Sequence, residues 1–331
     1  MRYPRLAGLA ILGVILMLLN VVMYPMIPGT IKISSSHYHH DLRPNLENPR
    51  KWGDLTYNIV TNSLGFKDKA VRSVTLNSDK HRILFIGDSF TEGIGASFEE
   101  TFVGRYAATL DPTRYEVLNA GVSSYSPKLY FHKLRYLLEE VGLKVDEVRA
   151  FVDISDVQDE IIYEGWEPGE PDFWESVDSV LFTWVWMYNA IRRSDHLFNS
   201  YDRFYTTRGT WPEDDAVYEK WGKEGLERAV GYMDKLHDLC KRHGVSLSMA
   251  IYPWPEQILA GRLDSRAVEP WKAFAVERGI PLTDYFPVFM RAGVAKQTVE
   301  TYFISGDCHW NLEGHALVAE HVPFPLNAPK E

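Results

Sequence analysis

The chain has 331 residues, of which 45% are hydrophobic, 13% aromatic and 24% charged; these are the proportions of a packed globular protein, not of a disordered, collagenous or low-complexity one. With 45 acidic against 35 basic residues the formal charge is −10, which speaks against a nucleic-acid binder that must neutralise phosphates. Two cysteines supply neither a disulfide scaffold nor a thiolate zinc cluster.

At the N-terminus, Arg2 and Arg5 precede an apolar stretch from Leu6 to Met23 that runs on to Ile27, with Asn20 its one strongly polar residue. About 22 helical residues reach roughly 33 Å, enough to cross a hydrocarbon core of about 30 Å. The following Tyr24-Pro25-Met26-Ile27-Pro28-Gly29 has no small-x-small cleavage site. Residues 1–28 therefore read as an uncleaved transmembrane anchor with its arginines in the cytoplasm and the rest of the chain extracytoplasmic, periplasmic or extracellular. Residues 29–55 are polar and histidine-rich (His37, His39, His40) and read as a juxtamembrane linker, a solvated spacer in preference to a metal site.

From residue 56 to 325 strand-like and helix-like segments alternate. Arg82 to Ile86 is a short apolar run, suited to a buried parallel strand. Phe98 to Leu110 predicts a helix, Glu116 to Asn119 a strand, and Pro127 to Val141 a helix with proline at its start and Gly142 past its end. Strands are expected at Val148 to Ile154, Val245 to Tyr252 and Ile280 to Thr283. Helices are expected at Leu226 to His243, Ser265 to Arg278 and Asn311 to His321. Short links between alternating elements mean a parallel sheet covered on both faces. One stretch, 156–223, breaks the rhythm and holds six of the ten tryptophans. It reads as an insertion serving as a lid, a sugar-stacking surface or a membrane-resting patch, or simply packing its aromatics into a core of its own.

Two blocks carry chemistry. Gly87-Asp88-Ser89-Phe90-Thr91-Glu92-Gly93 stands where the first parallel strand turns into a helix. A serine there has its hydroxyl at the carboxyl edge of the sheet, where open α/β folds bind ligands, beside free backbone N–H groups. Before the last helix comes Gly306-Asp307-Cys308-His309-Trp310-Asn311. In an extended segment Asp307 and His309 project to one side and Cys308 to the other. The carboxylate can then orient the imidazole, leaving its second nitrogen free to take a serine proton, which describes acyl transfer through a covalent ester. A zinc site on Asp307, His309 and His315 is the metal alternative, and a Cys240–Cys308 disulfide is chemically allowed outside the cytoplasm.

On these blocks, with Asn119-Ala120-Gly121 and Thr61-Asn62-Ser63-Leu64-Gly65-Phe66, the sequence resembles the SGNH (GDSL-type) hydrolase family. The resemblance implies a flavodoxin-like three-layer α/β/α fold with a central parallel sheet. It also implies Ser89 as nucleophile, His309 as general base and acid, Asp307 as its orienting partner, and an oxyanion held by the N–H groups of Ser89 and Gly121. The family's asparagine donor, from a Gly-x-Asn-Asp block, is replaced here by Ser155 in Asp153-Ile154-Ser155-Asp156, making Ser155 the expected third donor. The Asp-x-His spacing looks like that of membrane-anchored or periplasmic relatives that handle acetyl groups on exported polysaccharides.

The expected function is thus an anchored, extracytoplasmic serine esterase or O-acyltransferase acting on O-acetylated carbohydrate, with no cofactor or metal. Its partners would be the membrane, through the N-terminal helix, and an envelope polysaccharide machinery. The alternatives are a lipid-directed esterase or lysophospholipase, with Val180 to Met187 resting on the bilayer, and a non-catalytic polysaccharide-binding module on the same fold.

Overall fold

The computed structural model describes residues 31–169, 208–291 and 293–327. Two antiparallel hairpins come first: β1 (Lys32–Ser35) with β2 (His39–Leu42), and β3 (Glu47–Trp52) with β4 (Leu55–Val60). The expected linker is therefore folded. The β1–β2 hairpin is fixed to the body by buried and half-buried polar bonds: Lys133 Nζ lies 2.9 Å from Asp41, Lys32 Nζ donates to Ser123 O at 2.8 Å, and the Tyr125 hydroxyl donates to His40 O. Leu42 and Ile59 are fully buried. The composition of 29–55 looks solvated because its charges and imidazoles meet partners far along the chain.

The body is a five-stranded, wholly parallel sheet in the order β6-β5-β7-β8-β9. Its strands are β5 (His81–Ile86), β6 (Tyr115–Asn119), β7 (Glu147–Val152), β8 (Ser246–Ile251) and β9 (Leu282–Asp284). Ile83 to Ile86 have no exposed surface and every residue of β7 is buried, as strands covered on both faces must be. The helices named by their place in the crossovers are α1 (Ser89–Glu92), α2 (Phe102–Thr109), α3 (Pro127–Arg135), α4 (Ile154–Ile162), α5 (Lys223–Arg242), α6 (Glu269–Arg278) and α7 (Leu312–Glu320). The β5 to β6 connection steps one way along the sheet and the later ones step the other way. Right-handed crossovers then place α2 on one face and α3, α5 and α6 on the other. Helix α7 packs on α2, and α5 packs on α3 and α4. The strand order reverses between β5 and β7, so their carboxyl ends flank the crevice where doubly wound folds take ligands.

Several expectations shift. The helix expected over 98–110 is a 3-10 turn, Phe98–Glu100, followed by α2, because the Thr101 side chain stops the first and caps the second by accepting the Gly104 N–H at 3.1 Å. The expected interruption at 156–223 starts later. Helix α4 carries Val157 in the core, and Asp156, Gln158, Asp159 and Glu160 are buried with it; four polar residues in five concealed a core helix. Trp211 is fully buried and donates to Ile154 O at 2.9 Å, and Trp221 joins the core. Trp174, Trp184, Trp186 and the Val180 to Met187 stretch lie outside the described residues, as does the expected anchor at 1–28. Among the described residues no helix is long and apolar enough to cross a membrane. Cys240 and Cys308 are both free thiols.

Candidate active site

Strand β5 delivers Gly87, Asp88 and Ser89 to the carboxyl edge of the sheet. Asp88 caps the short helix α1 by accepting the Phe90 N–H at 2.9 Å, and Gly93 ends it in the left-handed region at φ 77°. Gly87 has no room for a side chain, since a Cβ would stand 2.1 Å from Thr91 Oγ1 and 3.1 Å from Phe151 O. At Gly121, in the loop after β6, a Cβ would meet Thr91 Cβ and the Glu92 nitrogen at 2.7 Å each. The two glycines let three loops close around the turn that carries Ser89.

The second block arrives from the far end of the chain. Ile304 N–H donates to His309 O at 2.9 Å and Asp307 N–H to Ile304 O at 3.0 Å, closing a tight loop. Asn311 caps α7, accepting the Glu313 and Gly314 N–H groups while its amide reaches Thr301 O and Phe303 O. Trp310, 1% exposed, anchors this loop among Phe90, Tyr252 and Phe289. The loop is not extended: the His309 N–H turns back to Asp307 Oδ1 at 2.9 Å. Strand alternation therefore does not apply. Cys308 stays on the same side, its Sγ 3.8 Å from His309 Nδ1. Burial, followed by the neighbouring carboxylates, pushes the Cys308 thiol far above its usual range, so it is no thiolate nucleophile.

Ser89, His309 and Asp307 meet. His309 Nε2 lies 2.8 Å from Ser89 Oγ, and His309 Nδ1 lies 2.5 Å from Asp307 Oδ1. The carboxylate fixes the proton on Nδ1 and leaves Nε2 as the acceptor facing the hydroxyl. Burial alone would raise the Asp307 carboxyl. The ring and backbone of His309 and the indole of Trp52 outweigh it and hold it at about 2.

The remaining sequence candidates divide. Ser89 N–H, first in α1, has no protein acceptor among the described residues. Gly121 N–H is bonded to Asn119 Oδ1 at 3.1 Å. Ser155 is buried beneath the nucleophile turn, where its hydroxyl donates to Asp153 Oδ1 at 2.7 Å and lies 3.3 Å from Asp88 Oδ2. In this structure the Ser155 proton is given to a carboxylate, and the residue braces the floor of the site. His315 faces inward, its Nδ1 accepting the Phe102 N–H at 3.3 Å. Burial first, then nearby cations, lowers it to about 3; among the described residues the side chains close enough to share an ion with Asp307 and His309 include Cys308 and not His315, so the expected Asp307, His309 and His315 set is not brought together.

Three participants were not legible in sequence. Trp52, at the tip of the β3–β4 hairpin, donates its indole N–H to Asp307 Oδ2 at 2.8 Å, with its ring centroid 5.6 Å from that of His309. Tyr252 donates to Asp88 at 3.0 Å, and Arg208 pairs with Asp159 at 2.6 Å. Below the serine, burial and then the charges of their neighbours push Asp88 and Asp156 well above the usual carboxylate range. The floor of the site is therefore a hydrogen-bonded acid cluster carrying less charge than its composition suggests.

The chain matches no protein-family model and no curated protein. Among solved structures it is similar to a lipolytic protein of the G-D-S-L family from Desulfitobacterium hafniense, at 16% identity over 73% of this chain and 97% of that one, with a TM-score of 0.42. It is similar also to an acetylxylan esterase from Geobacillus stearothermophilus (13%, 75% and 94%, TM-score 0.42). A third is the psychrotrophic esterase EstA from Pseudoalteromonas sp. (12%, 73% and 94%, TM-score 0.43).

Proposed function

We propose that the chain is a serine esterase or O-acyltransferase of the SGNH (GDSL-type) class. The observation that carries this reading is the continuous chain of short bonds from Ser89 Oγ through His309 to Asp307, at 2.8 and 2.5 Å. In the reaction Ser89 Oγ attacks the ester carbonyl while His309 Nε2 takes its proton, and Asp307 stabilises the imidazolium that forms. The Ser89 N–H faces the developing oxyanion. Collapse expels the alcohol, protonated by His309, and leaves an acyl-serine. Water or a second hydroxyl, deprotonated by the same imidazole, then takes the acyl group.

The substrate proposed is O-acetylated carbohydrate, handled outside the cytoplasm by a domain tethered through residues 1–28. The support is the Arg2/Arg5-flanked apolar run and the Asp-x-His spacing of the second block. A fluorophosphonate probe should label the full chain at Ser89. Ser89→Ala should abolish labelling and lower kcat by on the order of 10⁴- to 10⁶-fold; a loss below tenfold would refute the assigned role. Product analysis with an acetyl donor and several glycan acceptors separates transfer from hydrolysis. A preference for lysophospholipid over acetylated oligosaccharide would overturn the carbohydrate assignment.

A further inference from the structure

The carboxylate of a serine–histidine–aspartate array has two oxygens, and only one serves the imidazole. In this structure the second is held from an element 255 positions away in sequence: Trp52 Nε1 donates to Asp307 Oδ2 at 2.8 Å. Trp52 is the last residue of β3, paired with Leu55 across a two-residue turn in which Gly53 takes φ 55°. The root of the hairpin is fixed. Ile59 is fully buried, Tyr57 is 6% exposed, and Lys67 Nζ sits 5.3 Å over the Tyr57 ring. Near the tip, a Cβ on Gly95 would stand 3.1 Å from a Leu55 methyl and 3.0 Å from an Ile304 methyl. The hairpin thus lies against the loop that follows the nucleophile helix and against the loop that carries Asp307 and His309.

We infer that Trp52 is a positioning residue for the proposed reaction, acting through Asp307. The two carboxylate oxygens are locked between the indole N–H on one side and the His309 N–H and Nδ1–H on the other, so the plane of the carboxylate, and with it the imidazole, has one orientation. The indole also stands edge to face with His309, ring centroids 5.6 Å apart, so one side chain touches both members of the pair. An indole 36% exposed at a hairpin tip is otherwise hard to explain: its ring is not in the core, and its one donor is spent on an exposed-side carboxylate oxygen.

This inference rests on the esterase reading, and its test is chosen to fail separately. Trp52→Phe in the detergent-solubilised full chain keeps the ring and deletes the donor. It should lower kcat for an activated acetyl ester by about 5- to 30-fold, somewhat less than a fully buried bond to a charge, with KM little changed. The acidic limb of the kcat/KM profile should move to higher pH, because a carboxylate relieved of one donor holds the imidazolium more firmly. The low-field proton resonance of the Asp307–His309 bond should shift or broaden. A structural role alone would lower the melting temperature and leave the limb and the resonance where they were. If Trp52→Phe keeps kcat within twofold and the resonance in place, the inference is overturned. If the wild-type chain neither labels nor hydrolyses, the esterase reading falls, and the resonance still decides whether the indole orders the Asp–His pair.

Discussion

Asp307→Asn tests the hydrogen-bond logic of the site in its most demanding form, because every neighbour of this carboxylate is a donor. Oδ1 accepts the His309 N–H and Nδ1–H, and Oδ2 accepts the Trp52 indole. An amide must place its NH₂ on one side. If the NH₂ replaces Oδ1 it opposes the His309 N–H and makes Nδ1 an acceptor, which moves the ring proton to Nε2, the atom that must receive the proton of Ser89. If it replaces Oδ2 the tautomer survives, but two donors confront each other at the Trp52 contact. Each arrangement keeps two bonds and creates one conflict, so both are populated. Losing the charge weakens the remaining bond to the imidazole by on the order of 1–2 kcal/mol. With the unproductive tautomer this should lower kcat/KM by about 10³- to 10⁴-fold, on the order of 4–5 kcal/mol. The double variant Asp307→Asn with Trp52→Phe removes the conflict from the productive arrangement and a bond from the unproductive one. It should therefore be several-fold more active than Asp307→Asn alone, although Trp52→Phe by itself is deleterious. The assay is kcat/KM for an aryl acetate, paired with the rate of fluorophosphonate labelling. A single variant within tenfold of wild type, or a double variant that multiplies the two losses, would refute the reasoning.

Three further outcomes follow from the geometry. Gly87→Ala places a methyl 2.1 Å from Thr91 Oγ1, so the nucleophile turn must shift; kcat should fall by on the order of 10²-fold in steady-state assays, with the fold retained by circular dichroism. Asp41→Ala strands Lys133, which is fully buried, and should reduce the urea-derived unfolding free energy by about 3–5 kcal/mol. Asp41→Leu with Lys133→Leu should lose much less. Burial pushes the Glu160 carboxyl up to about 7, so the folded chain keeps a proton that the unfolded chain has released. Stability should decline as the pH rises from the ordinary carboxylate range toward 7, by on the order of 3 kcal/mol, and stay at the lower value above that. Glu160→Gln should flatten that part of the profile when urea unfolding is compared at about pH 5 and 8.

The alternation of strand and helix was legible because parallel strands leave long apolar runs and their helices carry end signals. Ile83 to Ile86, the proline opening α3 and the glycine closing α6 each speak locally. What was illegible is polar and long-range. The β1–β2 hairpin reads as a linker because Lys32, His40 and Asp41 look solvated until Ser123 and Lys133 close on them. Helix α4 reads as the start of an insertion because Asp156 and Asp159 look exposed until Tyr130 and Arg208 are set beside them. In both cases burial is decided by partners 26 to 92 positions away or by a hydrophobic face hidden under acids, and no local pattern encodes the partner.

The site divides along the same line. Ser89 and the Asp307–His309 pair each sit in a local frame, a strand-to-helix turn and an Asx turn before a capped helix, and those frames are written in neighbouring residues. Oxyanion donors and braces are not. Ser155 stands where the family resemblance places an asparagine donor, yet Asp153 lies two residues before it and accepts its hydroxyl proton. Trp52 gave no signal at all, since a tryptophan in a polar hairpin predicts nothing about a loop 255 positions later. Local signals specify what a residue is able to do, and the long-range contacts specify whether it is held in place to do it. The proposed chemistry therefore depends on the hairpin's docking as much as on the serine. A change that undocks the β3–β4 tip while sparing all three residues of the array should lower kcat and leave fluorophosphonate labelling slow but complete.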